Sequence, residues 1–143
     1  MRLGEETYVD QAERVIKQLI DESDKRGKNN NPKIKRDKNN NPNIVTTSKL
    51  RNLLSMTMDI YNQVVNSTED DLDDEIKGRI EYLRVRVIYD AGRDEQVKKF
   101  IEKAEILECL KEINGSRKNY LRFTHYMEAL VAFRKYYAED KDL

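Results

Sequence analysis

The sequence has too few cysteine and histidine residues for several kinds of chemistry. The 143-residue chain contains one cysteine, Cys109, and one histidine, His125. A single thiol excludes a disulfide framework within the chain and a multi-thiolate zinc site. A single imidazole leaves no second histidine to complete a metal or catalytic cluster. We therefore expect no metal and no cofactor.

Long apolar runs are also missing. No stretch approaches the roughly 18 apolar residues of a membrane span, and the first residues lack the apolar core of a signal peptide. Hydrophobic residues make up 38% of the chain, and 27 basic residues balance 27 acidic ones. These features predict a single domain over residues 1–143, cytoplasmic and without a membrane partner.

Motifs for nucleotide binding and catalysis are absent as well. The chain has no Walker-type GK[ST] segment and no GxGxxG. The acidic run Glu69–Glu75 lacks the glycine and the spacing of a calcium loop, so we interpret it as a solvated helix start. A ribonuclease built on His125 is the enzymatic alternative, but the sequence offers no orienting partner and no nucleophile for it. The prediction is that the protein is not an enzyme.

The neutral total hides a strong segregation of charge along the chain. Residues 29–51 carry six basic residues and one acidic residue, whereas residues 52–76 carry seven acidic residues and no basic one. A protein that coats nucleic acid on every face needs a broad positive field, which this balance excludes. A one-sided basic surface remains compatible with it.

A short duplication interrupts the N-terminal part of the chain. The sequence KNNNPKI of residues 28–34 recurs ten residues later as KNNNPNI. Asparagine clusters with proline do not propagate a helix, so residues 23–45 are predicted to form a long, basic, Asn-rich surface loop between the first two helices. Two interpretations stay open: an insertion without a role, and a mobile basic arm that finds phosphate groups.

Helical periodicity accounts for most of the remaining chain. Apolar residues recur at three- and four-residue spacing, and capping residues precede each such segment. The pattern predicts an irregular all-α bundle of five helices. The first helix runs from Tyr8 to about Glu22, and the second from a cap at Thr46 or Thr47 to about Val65. The third begins at caps at Ser67 and Thr68, passes through the acidic run and ends at about Gly92. The fourth runs from Asp94 to the stop at Asn114-Gly115, and the fifth from a cap at Ser116 to Tyr137.

The third helix carries a basic ridge with interleaved tyrosines. Five residues fall in one sector beside its core stripe: Arg79, Tyr82, Arg86, Tyr89 and Arg93. Guanidinium groups bind phosphate in a bidentate way, and tyrosine rings stack on bases or sugars, so the ridge fits single-stranded RNA held largely by its backbone. The alternative is a solvated face with weak pairs within the helix.

Other residues lie outside the predicted core stripes. Val85 and Ile88 project away from the core stripe of the third helix, and Ile106 and Cys109 flank that of the fourth. They either meet other helices of the bundle or mark subunit contacts. Cys109 by itself is typical of a small buried hydrophobic residue.

Several segments together resemble a known family. The segments are Tyr8–Arg14 (YVDQAER), Thr46–Ser55 (TTSKLRNLLS), Tyr82–Arg93 (YLRVRVIYDAGR), Ile101–Glu108 (IEKAEILE) and Tyr126–Phe133 (YMEALVAF). In this order they resemble the small helical subunit of type III-A CRISPR effector complexes, the Csm complex small subunit.

The resemblance implies a function in antiviral defence. A member of this family is expected to be a non-catalytic RNA clamp that stacks in several copies along the guide/target RNA duplex and contacts mainly the target RNA backbone. Its partners would be guide RNA, single-stranded target RNA, the backbone and large subunits of the Csm complex, and further copies of itself. The alternative is a helical protein–protein adaptor without direct RNA contact.

The candidate RNA-binding residues come from the ridge and from the resemblance. The ridge contributes Arg79, and the resemblance implies the basic positions within its matching segments, Lys49, Arg51, Arg84, Arg86 and Arg93, together with Lys118, Arg122, Arg134 and Lys135 from the last helix. For Arg134 and Lys135 the alternative is a purely structural role, because positive charge is favourable near the C-terminus of a helix. Arg84 and Arg86 lie about 160° apart around a helix, so they do not both face one RNA strand. We expect Arg51 and Arg93 to contribute most.

Overall fold

The computed structural model describes residues 2–23 and 44–137, and these residues form six helices. They are α1 (Tyr8–Ser23), α2 (Thr47–Val65), α3 (Asp74–Arg93), α4 (Glu95–Lys103), α5 (Ile106–Ile113) and α6 (Arg117–Tyr137). Within the described ranges no strand forms, and one isolated antiparallel bridge joins Asp71 to Ser116. The all-α prediction is confirmed. Of the helices described, none is long and apolar enough to cross a membrane.

Helix α6 is the central element of the bundle. It packs against α1, α2 and α5, and for this reason it is buried around more of its circumference than a single stripe. Its Tyr120 hydroxyl donates a hydrogen bond of 2.7 Å to the Thr57 carbonyl of α2, while Phe123 and Met127 pack in the core. Helix α3 packs against α2, α4 and α5 and keeps one side in solvent.

Side chains at the helix starts fix several boundaries. Thr46, one of the two predicted caps of α2, accepts a hydrogen bond of 3.2 Å from the Lys49 amide. Ser116 accepts one of 3.2 Å from the Asn119 amide at the start of α6. Both arrangements satisfy amides that the first turn of a helix leaves without partners.

The predicted fourth helix is wrong, because the chain breaks it into α4 and α5. Glu105 takes a left-handed conformation with φ 57°, which no α-helix continues through. Two contacts hold the break: the Tyr126 hydroxyl donates to the Ala104 carbonyl at 3.0 Å, and the Arg2 guanidinium pairs with Glu105 at 2.9 Å. Both partners come from distant parts of the chain, so the local periodicity carries no sign of the break.

The predicted start of α3 is also wrong. Ser67 and Thr68 do not cap it; the helix begins at Asp74, and the Asp73 side chain caps it by accepting from the Ile76 amide at 2.8 Å. Most of the acidic run therefore precedes the helix. There the Leu72 amide donates to the Gly115 carbonyl at 2.8 Å, which ties this segment to the turn before α6.

The predicted basic loop lies mainly outside the described residues. Of residues 23–45, the structure describes only Ser23, Ile44 and Val45. Ser23 is the last residue of α1, and Ile44 and Val45 are buried in the core. These three residues therefore belong to the packed fold, which shortens the predicted surface loop at both ends.

The fold buries both Ile106 and Cys109, the two residues that flank the core stripe of the predicted fourth helix.

Burial raises the pKa of the Cys109 thiol from 9.0 to about 12. Because the thiolate is the reactive form, we expect negligible reaction of the folded protein with Ellman's reagent at pH 8. In denaturant one thiol per chain should react rapidly; rapid labelling of the folded protein would contradict this placement.

Candidate nucleic-acid interface

A groove runs between α2 and α3 on the solvent side of the bundle. It has a volume of about 640 Å³, and both helices contribute its walls. From α2 come Asn52, Met56 and Asp59, which lie on one face because they are spaced by four and three residues. The face of α2 beside its core stripe thus becomes one wall of a surface feature.

The opposite wall comes from the predicted ridge of α3. Arg79, Tyr82 and Arg86 line the groove, and Tyr82 is 64% exposed. The Arg79 guanidinium donates a hydrogen bond to the Gln63 side chain of α2, which lies outside the groove lining. The structure therefore brings the first three ridge residues together on one accessible surface.

The rest of the ridge forms a stack of charged and aromatic groups. The Arg86 guanidinium lies 5.7 Å from the centre of the Tyr89 ring, and the Arg93 guanidinium lies 5.3 Å from the same ring. Such cation–π contacts orient guanidinium groups without neutralising them. Two guanidinium groups thus contact one exposed tyrosine ring.

A second hollow of about 310 Å³ continues from the groove towards the start of α4, and Asn52 borders both. Arg93 and Lys49 lie on its rim. The Lys49 ammonium pairs with Asp94, whose carboxylate also accepts from the Gln96 and Val97 amides as the cap of α4. Lys49 is therefore engaged with this cap, whereas Arg93 points its charge towards Tyr89.

Two predicted residues lie away from the groove. Arg51 is exposed on α2 but follows Lys49 by two positions, about 200° around the helix, and does not line the groove. Arg84 pairs with Glu81 on its own helix at 3.1 Å. Of the two arginines expected to contribute most, Arg93 lines a neighbouring hollow, whereas Arg51 lines neither that hollow nor the groove.

The candidate residues of α6 have different environments. Arg122 donates to the Leu3 carbonyl at 3.2 Å and pairs with Glu5 at 3.6 Å, so it anchors the N-terminal segment. Arg134 is 0% exposed, and its Nε donates to the Val45 carbonyl at 2.8 Å. Arg134 therefore serves the interior of the fold rather than a surface. Lys118 and Lys135 are exposed on α6, outside the groove.

Apolar residues on the outer side of α3 remain in solvent. Val85 is 57% exposed and Ile88 is 49% exposed, so neither meets another helix of the described bundle. Together with Tyr82 and Tyr89 they give α3 an unusual number of exposed large hydrophobic side chains. Of the two interpretations of Val85 and Ile88, burial by a neighbouring helix within the described fold is wrong.

The basic wall of the groove is predicted by the sequence, whereas the opposite wall is not. Asn52, Met56 and Asp59 do carry a signal, because their spacing places them on one helix face. That spacing does not reveal that this face lies beside the ridge of α3. Gly78, which also lines the groove, gives no signal in the sequence.

The described residues contain no cluster of three or more His, Cys, Asp or Glu side chains that would hold a metal ion. His125 is exposed on α6 and stacks on Tyr8, with ring centres 6.2 Å apart and planes 29° apart. It lies in the contact between α1 and α6, away from the groove.

Comparison with known proteins assigns the chain to a family. A family model described as Csm2 Type III-A matches residues 13–140. The chain belongs to the Csm2 type III-A family. It is 42% identical over 135 residues to "CRISPR system Cms protein Csm2" of Streptococcus thermophilus, a match that covers 94% of each chain.

Further Csm2 relatives support the assignment. The chain is 44% identical over 92 residues to "CRISPR system Cms protein Csm2" of Mycobacterium tuberculosis (strain CDC 1551 / Oshkosh), covering 64% of this chain and 74% of the relative. It is 38% identical over 97 residues to the Csm2 protein of Enterococcus italicus, covering 66% and 69%. The resemblance to the type III-A Csm2 family seen in the sequence is confirmed.

Proposed function

We propose that this Csm2-family protein is a non-catalytic RNA clamp of the Csm complex, acting in antiviral defence in the cytoplasm. The observation that carries the proposal is the row of guanidinium groups that follows α3 beside the α2–α3 groove. Within this row the Tyr89 ring orients both Arg86 and Arg93. Guanidinium groups held in place bind phosphate with little loss of side-chain freedom. The row therefore contacts the backbone of a single RNA strand.

The clamp does not read sequence through its arginines. Phosphate contacts fix position and register, while base pairing between guide and target supplies the sequence information. A single subunit with few phosphate contacts binds weakly, and its affinity falls steeply with salt because counterions are released. Several copies on one strand bind more tightly, since each bound copy raises the effective concentration of the next.

The exposed apolar residues Val85 and Ile88 support a place within an assembly. Large apolar side chains on one helix face are typical of protein contacts. They would face the backbone subunit, the large subunit or a further copy of this chain, while the groove on the neighbouring side of α3 holds target RNA. Such an arrangement assigns two functions to two sides of one helix.

A salt titration tests this function. A labelled single-stranded RNA of roughly 40 nucleotides is titrated with the protein alone, and then with the backbone subunit and guide RNA present. We expect weak binding to the isolated protein, stronger binding in the assembly, and a loss of about tenfold or more between about 50 and about 200 mM salt. Tight binding by the isolated chain to one particular RNA sequence, with no measurable binding to other sequences, would contradict the clamp.

The same titration separates the clamp from the adaptor alternative. If RNA affinity does not depend on this subunit at any salt concentration while the assembly still forms, the protein is an adaptor and the ridge is a solvated face. Replacing Arg86 and Arg93, the two arginines in contact with Tyr89, with alanine adds a second criterion: a clamp loses RNA but keeps its protein partners. Incubation with labelled RNA, with and without added divalent metal, should give no cleavage.

A further inference from the structure

The charges within the α2–α3 groove do not suit a phosphate group. Asp59 and Glu75 both line it, opposite and beside the arginines of the ridge. A phosphate placed in the groove would lie near two carboxylates, and like charges at short range are unfavourable. An RNA backbone would therefore follow the rim at Arg79 and Arg86, which leaves the interior for a different part of the nucleotide.

The interior has the chemistry of a site for a flat, polar-edged group. Ile60 and Leu83 form an apolar floor, and the exposed Tyr82 ring stands at its edge. Asn52 and Asp59 add an amide and a carboxylate to the same lining. Aromatic rings stack on bases, and amide and carboxylate groups bind the hydrogen-bonding edges of unstacked bases.

We propose that the α2–α3 groove holds one unstacked nucleobase of the RNA strand whose phosphates contact Arg79 and Arg86. The inference rests on the proposed function, and it adds a base site to a clamp otherwise described by its phosphate contacts. The Asp59 carboxylate accepts hydrogen bonds from N–H groups. Guanine presents two such donors side by side on its Watson–Crick edge, so it is favoured over uracil, which presents one.

Gly78 keeps this site open. It lines the groove one helical turn before Tyr82, and a Cβ atom added there would have no heavy atom within 4 Å. Glycine within a helix is less favourable than alanine, and nothing in the described fold requires a glycine here. The missing side chain instead leaves space beside the Tyr82 ring for a base.

Gly92 provides a matched control on the same helix. A Cβ atom added there also meets nothing within 4 Å, but Gly92 lines neither the groove nor the adjoining hollow. Gly78→Leu and Gly92→Leu thus add the same side chain to α3, inside and outside the site. We expect both variants to have a melting temperature at or above that of the unmodified protein, and this measurement checks that they fold.

The experiment compares RNAs of about 12 nucleotides, a length typical of single-stranded binding sites. The probes are alternating guanosine–uridine RNA, the same RNA with inosine for guanosine, and oligouridine. We expect Gly78→Leu to weaken binding of the guanosine RNA about tenfold with an unchanged salt slope, and Gly92→Leu to leave it unchanged. Inosine lacks the exocyclic amino group of guanosine, so the inosine RNA should bind the unmodified protein less tightly than the guanosine RNA does.

The Asp59→Asn variant distinguishes a base site from binding of phosphates alone, because the two predict changes in RNA affinity of opposite sign. If only phosphates bind here, removing a negative charge near the arginines raises RNA affinity. If Asp59 binds a base edge, the substitution lowers the affinity for guanosine RNA and removes the difference from inosine RNA. A rise in affinity, together with unchanged binding by Gly78→Leu, overturns the base site while the salt-dependent clamp stands.

Two other outcomes are distinguishable. If no RNA binds the protein or its assembly even at low salt, the proposed function fails and the base site fails with it. If Gly78→Leu leaves RNA binding intact but prevents assembly with the backbone subunit, the groove takes a protein side chain, and the base site is overturned.

Discussion

RNA affinity is expected to fall about 30-fold at moderate salt when Arg79, Arg86 and Arg93 are all replaced by alanine. The three arginines form a row along α3, and two of their guanidinium groups contact the Tyr89 ring. Loss of three phosphate contacts should also lower the slope of log affinity against log salt by about 2. Fluorescence anisotropy over a series of salt concentrations measures both quantities.

The control for this variant removes the same net charge elsewhere. Lys98, Lys99 and Lys111 are exposed and lie outside the groove. Their replacement by alanine should change affinity only slightly, through the general field of the protein. Equal losses in the two triple variants would show that RNA responds to overall charge, and the ridge would then have no specific function.

Tyr126→Ala is expected to destabilise the protein by about 3 to 5 kcal/mol, a large part of the stability of a domain of this size. Tyr126 is fully buried on α6, so its truncation leaves a cavity at the centre of the bundle. It also removes the donor to the Ala104 carbonyl, the group at the break between α4 and α5. Urea denaturation followed by circular dichroism measures the change.

Tyr126→Phe separates the two contributions. It keeps the ring and deletes only the hydroxyl, so a loss of about 1 to 2 kcal/mol is expected for a buried carbonyl deprived of its donor. Cys109 supplies a local probe, because it is buried in the same hydrophobic core as Tyr126. Labelling of the Cys109 thiol should accelerate strongly in Tyr126→Ala and weakly in Tyr126→Phe. Equal labelling rates in the two variants would contradict a packing contribution of the Tyr126 ring.

Sequence periodicity was sufficient for the helices and for one wall of the site. The residues Ile76, Ile80, Leu83 and Val87, which share one face of α3 at helical spacing, are buried, and Thr46, one of the two predicted caps, caps α2. The ridge residues Arg79, Tyr82 and Arg86 are accessible on one side of the same helix. These features follow from positions within a single helix, and local spacing encodes them directly.

Contacts between distant residues decided the rest. The α4–α5 break depends on Arg2 and Tyr126, the burial of Arg134 depends on Val45, and the groove exists because the polar face of α2 lies beside the ridge of α3. By itself the sequence determined which residues share a helix face. Only the tertiary structure decided which faces meet, because packing between helices depends on side chains that are far apart along the chain.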